Sequence, residues 1–291
     1  MLLTDVFSAE AVASVRTSDV SNSMAYAGLA FFPNKKKTGI DLKWIKTHKG
    51  LGVALKPSAF DGMATIRARK GFKVTNEEMP LFRESMVVKE QDLAEITRAQ
   101  ESNDPYLNEV LSHIYDDTNE LIDGADIAAE RMRMQLLAPV GGDMKIVIGT
   151  ADNVAYNYSY DPNGDWKAKH YASLEGTSTW DKADTSKPLN DIQKGINYLT
   201  DIGVSPMYAM MTSKTFNYLI ENSQIKNAII TISGRTIDFV SKQVVKEVFQ
   251  SQTGLIPILY DKKFEDYDGK DKSFYPDDYV TIIGEGKLGN T

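Results

Sequence analysis

The chain has no cysteine, only three histidines and no long apolar run, and each shortage removes a class of function. Without cysteine there is no disulfide framework and no thiolate metal site, which fits a reducing compartment. His48, His113 and His170 stand far apart in different expected elements, so no pair has the helical or hairpin spacing of metal ligands. The longest uncharged run, residues 20–34, is broken by Ser21, Asn22, Ser23 and Pro33. It is shorter than the roughly 20 apolar residues a membrane-spanning helix needs. Asp5, Glu10 and Arg16 interrupt the apolar region of a secretory leader, so the expectation is a soluble protein that does not use that export route.

Nucleotide and cation motifs are lacking too. Gly50-Leu51-Gly52 has neither a third glycine nor a strand-to-helix setting, and no Gly-Lys-Ser or Gly-Lys-Thr phosphate loop occurs. Asp266-Tyr267-Asp268-Gly269-Lys270-Asp271 superficially resembles a calcium loop. Its glycine falls at the fourth position and Asp277, not glutamate, at the twelfth, so a hairpin tip is expected. Thirty-three basic against forty acidic residues give a net charge of −7, against the phosphate neutralisation that sequence-independent DNA binding rests on. Lys35-Lys36-Lys37 reads as a solvated turn.

What is present is a chain of 291 residues, 42% hydrophobic, long enough for about two domains with real cores. Asn103-Asp104-Pro105 is a helix start, and Pro139 with Gly141-Gly142 is a stop. Between them Leu107, Val110, Leu111, Ile114, Leu121, Ile122, Ala125, Ala128, Met132 and Leu136 recur at helical spacings. The spacing predicts one helix over about 105–138, near 50 Å long at about 1.5 Å per residue. Strands are expected over 144–149 and 154–160, with a turn at Asp161-Pro162-Asn163-Gly164. A second α/β unit follows: a helix from Pro188 to about Asp201, a strand Tyr208–Met211 and a helix Ser213–Glu221. A helix from Phe239 to about Gln250 and the strands Ile256–Tyr260 and Tyr279–Ile283 complete it.

The stretch 55–88 reads as two strands around a polar turn. From Met63 to Arg69 one side of the pleat carries Thr65, Arg67 and Arg69 and the other only Ala64, Ile66 and Ala68, too little apolar area to hold a ribbon alone. Arg67, Arg69 and Lys70 on one side of the turn and Glu77, Glu78 and Glu84 on the other form a polar set suited to charge pairing across a subunit boundary. The expected partner is a copy of the same chain.

These pieces resemble the major capsid protein E family of tailed phages, the lambda-like branch of the Hong Kong 97-type shell proteins. Leu29 to Pro33, the strand around Trp44 and Gly52 to Pro57 are similar to the family's N-terminal arm and the entry to its extended loop, in which Arg67 to Gly71 would sit. Trp180 to Asp184 and Pro188 to Ile192 resemble its tryptophan segment and the helix that follows. Met211 to Phe216 with Leu219, and Tyr275 to Val280, resemble two later signatures.

The resemblance implies an α+β fold of the Hong Kong 97 type. It divides the chain into an arm at 1–54, an extended loop at 55–90 and a peripheral domain at 91–187 with the spine helix. An apical domain at 188–260 and a hairpin with a closing strand at 261–291 follow. It implies further family segments beyond the position of Thr291. It also implies a head of hexamers and pentamers around double-stranded DNA, built in the bacterial host cytoplasm, with a portal, a separate scaffolding protein, a possible decoration protein, no membrane, no cofactor and no metal. Phe31 and Phe32 of the arm join Arg67, Arg69, Lys70, Glu77, Glu78 and Glu84 as expected subunit contacts.

Two other readings use the same residues. An encapsulin-like compartment keeps the fold and changes the cargo to protein. A carboxylate hydrolase would use Asp116 or Glu120, which fit an exposed acidic helix face equally well. His113 and Asp117, four apart on the same helix, fit a solvated pair. An Arg67→Glu chain is expected to fold as a monomer and to lose particle yield by sedimentation; an unchanged yield removes the contact role of the loop.

Overall fold

The computed structural model describes residues 25–36, 41–47, 72–78, 107–149, 156–233, 240–266 and 269–291, with isolated positions at 82, 90, 94 and 98. Two compact units divide the chain, one formed from 1–26 with 80–132 and one from 27–79 with 133–291. The first holds most of one long helix.

In chain order the elements begin with a helical turn α1 (Gly28–Phe31) and the strands β1 (Asp41–Thr47) and β2 (Phe72–Glu78). Then come the long helix α2 (Leu107–Leu137), the hairpin strands β3 (Lys145–Ile148) and β4 (Tyr156–Ser159), and the short helix α3 (Asp165–His170). The α/β part contains α4 (Pro188–Asp201), β5 (Pro206–Met211), α5 (Ser213–Glu221), α6 (Ser223–Ser233), α7 (Lys242–Thr253) and β6 (Ile256–Leu259). A small hairpin, β7 (Lys263–Glu265) and β8 (Asp271–Ser273), precedes the last strand β9 (Thr281–Gly284).

Helix α2 has 31 residues, about 46 Å at about 1.5 Å each. It ends where proline forbids its continuation, through Pro139 into a short 3-10 turn at Val140–Gly142. Its last turn holds the β3–β4 hairpin by one side chain. Gln135 donates from Nε2 to the Val147 carbonyl at 3.1 Å and accepts the Val147 amide at 2.7 Å, replacing a strand neighbour that β3 lacks on that side.

The centre of the fold is a three-stranded sheet in the order β6-β5-β9, with β6 parallel and β9 antiparallel to β5. Proline stands where a sheet tolerates it, at the first residue of β5 (Pro206) and on the edge strand β6 (Pro257). Alternation along β5 sends Ala209 and Met211 to a core shared with the helices: Ile192, Phe216, Leu219, Ile225, Val245, Phe249 and Leu255. Phe216, Leu219 and Val245 are wholly buried there. Helix α4 lies so close to β9 that a Cβ added at Gly195 would meet the tip of the Ile282 side chain at 2.5 Å, so a larger residue there requires Ile282 to move.

Two helices escape the sequence reading. Helix α6 starts at Asn222-Ser223, a capping pair, and buries Ile225 and Ile229 four apart. Helix α3 forms because the Asp161 carboxylate accepts the Trp166 and Lys167 amides, both at 3.0 Å, beyond the expected turn. Helix α7 begins three residues later than expected. Ser241 caps it by accepting the Val244 amide, and the chain leaves it at Gly254.

Phe216→Ala empties a fully buried site and is expected to cost about 3–5 kcal/mol in urea unfolding. A loss below about 1 kcal/mol would mean that this core collapses around the missing ring.

Candidate functional site

The arm segment is fixed at one point and by two means. Phe31, 5% exposed, packs edge-on against Tyr208 of β5 at 5.8 Å between ring centroids. Beside it residues 31–35 run alongside residues 288–291. The Leu288 amide donates to the Phe31 carbonyl at 2.9 Å, the Thr291 amide to Pro33 at 3.1 Å, and the Lys35 amide to the Thr291 carbonyl at 2.8 Å. That alternation is parallel β pairing between Asn34 and Thr291.

Arg133, from the last turns of α2, locks the pairing. Its Nε donates to Thr291 Oγ1 at 3.0 Å and its guanidinium also donates to Asn34 Oδ1. The Thr291 hydroxyl in turn donates to the Phe32 carbonyl at 3.0 Å. Arg133 is 4% exposed, and a buried guanidinium is tolerated only where its N–H groups are met. Phe32 lies against the backbone of Gly289, where a Cβ would come within 3.0 Å of the ring.

The second feature is the β1–β2 ribbon. Its first strand is the expected strand around Trp44, and its second, β2, falls within the stretch 55–88. The antiparallel register sets Trp44 opposite Thr75 and Ile45 opposite Val74. It also opposes like charges, Asp41 with Glu78 and Lys46 with Lys73. Such pairs destabilise a ribbon that is already marginal as two strands. Glu77 stands opposite Leu42 in the register.

The third feature joins Met211–Phe216 to Tyr275–Val280, segments about sixty residues apart. The Asp278 amide donates to Thr215 Oγ1 at 3.0 Å, and Thr212 Oγ1 donates to Asp277 Oδ1 at 2.8 Å. The hydroxyls of Thr215 and Thr212 are 3.1 Å apart; since the Thr212 proton is committed to Asp277, Thr215 is the donor between them. Asp278 has a left-handed φ of 64° and accepts from the Tyr218 hydroxyl at 3.0 Å. Its hydrogen bond with Lys214 is the main reason the lysine pKa is raised. Burial drives the Tyr218 and Tyr275 pKa values up. Asp261 accepts the Ser213 amide at 2.7 Å and the Ser213 hydroxyl.

A similar lock holds the tryptophan segment. Asn222, wholly buried, donates to the Ala183 carbonyl at 3.1 Å and to Ser186 Oγ at 2.8 Å, and accepts the Gln224 amide at 2.9 Å. Trp180 Nε1 lies 3.4 Å from Asp191 Oδ2 in the first turn of α4.

Of the eight expected contact residues, the structure places Phe31 and Phe32 at the arm anchor, where Phe31 is spent within its own chain and Leu29, 44% exposed, faces outward. Glu77 and Glu78 take register positions on β2, and Arg67, Arg69, Lys70 and Glu84 lie outside the described residues. The anchor residues that sequence reasoning passed over are Arg133, Asn34 and Thr291. Glu120 is exposed, and Asp116 lies where α2 is described as backbone. Among the described residues no group of three His, Asp or Glu side chains could hold a metal ion, and no helix is long and apolar enough to cross a membrane. Near β3, Lys167 and Lys145 hold the Asp143 carboxyl below the usual carboxylate range through hydrogen bonds and charge. They leave a small polar hollow of about 210 Å³ with its charges already paired.

Residues 26–291 match the family model described as phage major capsid protein E. No curated protein matches the chain. Among solved structures, the crystal structure of a phage-related protein from Bordetella bronchiseptica RB50 is similar over 58% of this chain, at 12% identity and a TM-score of 0.37. The present chain spans less than half of that protein, 45%.

Two outcomes are expected. Arg133→Lys keeps the charge and loses the fork, so the Lys35 and Leu288 amides should exchange hydrogen roughly tenfold faster, as the loss of charge-assisted bonds worth about 1.5–3 kcal/mol implies. Unchanged exchange would show that Arg133 does not hold the pairing. At the left-handed position 278, alanine should cost about 1 kcal/mol more than glycine in urea unfolding, since both lose the carboxylate and only alanine keeps a Cβ there. Equal losses would mean that the backbone moves out of that conformation.

Proposed function

The chain belongs to the phage major capsid protein E family, and from that premise we propose that its copies close into an icosahedral head of hexamers and pentamers around double-stranded DNA. The observation that carries the reading is the match from residue 26 to residue 291, which takes in the arm anchor, the ribbon, the long helix and the α/β part together. The chain is then a structural subunit of the virion, with no catalytic residue and no cofactor. Its partners are copies of itself, a separate scaffolding protein, a portal and a decoration protein, and assembly takes place in the host cytoplasm.

In this reading residues 1–54 and 55–90 are the arm and loop that overlap neighbours, 91–187 is the peripheral domain, and 188–260 is the apical domain lining the capsomer centre. Arg67, Arg69 and Lys70 of one subunit meet carboxylates of the next, Glu77, Glu78 and Glu84 among them. The register is in keeping with this, since the residues directly opposite Glu78 and Glu77 on β1 are Asp41 and Leu42. Many modest interfaces sum to a closed wall. A net charge of −7 suits a wall that contains the genome without gripping it.

Full chain expressed with a scaffolding protein is expected to sediment as closed particles visible by electron microscopy, and particles filled by the packaging machinery should protect double-stranded DNA from nuclease. A chain that stays monomeric at high concentration beside its scaffold overturns the shell. Heavy proteolysis within 188–260 in intact particles would remove that span from the packed capsomer centre.

A further inference from the structure

At the arm, Ala27, Ala30 and Phe31 stand with Tyr208 and Ile258 of the sheet and with Gly286 and Lys287 around an open groove of about 370 Å³. Most of the lining is hydrocarbon, and Lys287 is its charged member. Apolar side chains adjoin it along the chain: Leu29 beside Ala30, Leu288 beside Lys287, and Ile256 on the same face of β6 as Ile258, exposed by 44%, 49% and 37%. A groove of this kind matches an apolar side chain that has carboxylates close by.

The chain itself carries such a group. Phe82 is 46% exposed, the largest apolar side chain so presented among the described residues. Glu84 follows it by two positions and Glu78 precedes it by four. We propose that the groove of one subunit receives Phe82 of a second copy, with the neighbouring carboxylates matched to Lys287. The inference rests on the shell reading. One aromatic ring buries about 150–250 Å², against roughly 800 Å² per partner in a stable pairwise complex, so this contact acts where many others are made at once. The arm anchor gains a second purpose: by pinning Phe31 to Tyr208 it builds one wall of the groove.

The chain has no cysteine, so disulfide trapping has no background. Full chains carrying only Phe82→Cys are mixed with size-tagged chains carrying only Ala30→Cys, assembled with scaffolding protein and oxidised. Because each chain holds one thiol, a heterodimer can arise only between copies. It is expected about tenfold above the level seen when Val140→Cys, exposed and outside the groove, replaces Ala30→Cys, as for a central and specific contact. Heterodimer at the Val140 level in formed particles overturns the docking and leaves the shell standing. Wild-type chain that forms no particles overturns the shell reading and the docking with it. If Phe82→Cys itself prevents assembly, Ala30→Trp decides: filling the groove from an exposed position should cut particle yield about tenfold with monomer unfolding unchanged, and wild-type yield overturns the proposal.

Discussion

The α/β part of this chain turns on one constraint: β5 must hand the chain directly into α5 while both faces of the strand are in use. Ala209 and Met211 serve the helical core, Tyr208 serves the arm, and Met210 is buried on the Tyr208 face of the strand. The first amides of α5 emerge where no water can reach all of them, and buried amides demand partners. Thr212 and Asp261 supply them, Asp277 accepts the Thr212 proton, and the order of proton donation through Thr215 and Thr212 is fixed because each hydroxyl has one proton to give. The segment Tyr275–Val280 therefore backs the cap of a helix that begins about sixty residues earlier, through Asp277 on Thr212 and the Asp278 amide on Thr215. Tyr275 extends the arrangement inward, its hydroxyl 2.7 Å from Thr281 Oγ1, which donates to the Leu137 carbonyl at the end of α2 at 2.7 Å. One run of hydroxyls thus links the long helix to the sheet.

That linkage explains what was legible in the sequence and what was not. Elements that follow from periodicity alone were readable: the long helix, the strand and helix at 206–221, and the hairpin tip at Asp266–Gly269. Their signals are local, with apolar residues at helical spacing and turn residues between them. Helices α3 and α6 were missed because their starts depend on Asp161 and Asn222 side chains reaching back or across, which spacing does not reveal. The strand around Trp44 was readable, but its pairing with Phe72–Glu78 was not, because Asp41–Thr47 contains as many charged residues as good strand formers and spacing does not reveal a partner strand. The arm anchor was the least legible, since Arg133, Asn34 and Thr291 meet across some 260 residues of chain and none looks unusual where it stands.

The anchor and the ribbon obey opposite rules. At the anchor the backbone pairing and the guanidinium of Arg133 are answered within the chain, so the arm has one place to sit. In the ribbon the register leaves like charges facing each other at Asp41–Glu78 and Lys46–Lys73. Natural ribbons that stand alone avoid this, because the repulsion is uncompensated in two strands. The arm root is thus fixed by answered hydrogen bonds, and the ribbon register by backbone pairing that like charges oppose.

For the proposed shell this division of labour has a mechanical reason. A wall made of many copies cannot rest on a few very strong contacts, because errors made during growth must be undone before closure, and weak contacts dissociate quickly. Strength then comes from number, and accuracy from holding each contact group at a defined position before it meets its neighbour. A buried arginine serves that end better than an apolar plug of the same size would, since its fork accepts only partners in the right plane and at the right distance. The stability such a buried charge contributes is modest, so its value lies in fixing where the arm starts. Everything the arm and ribbon do further out inherits its geometry from that root.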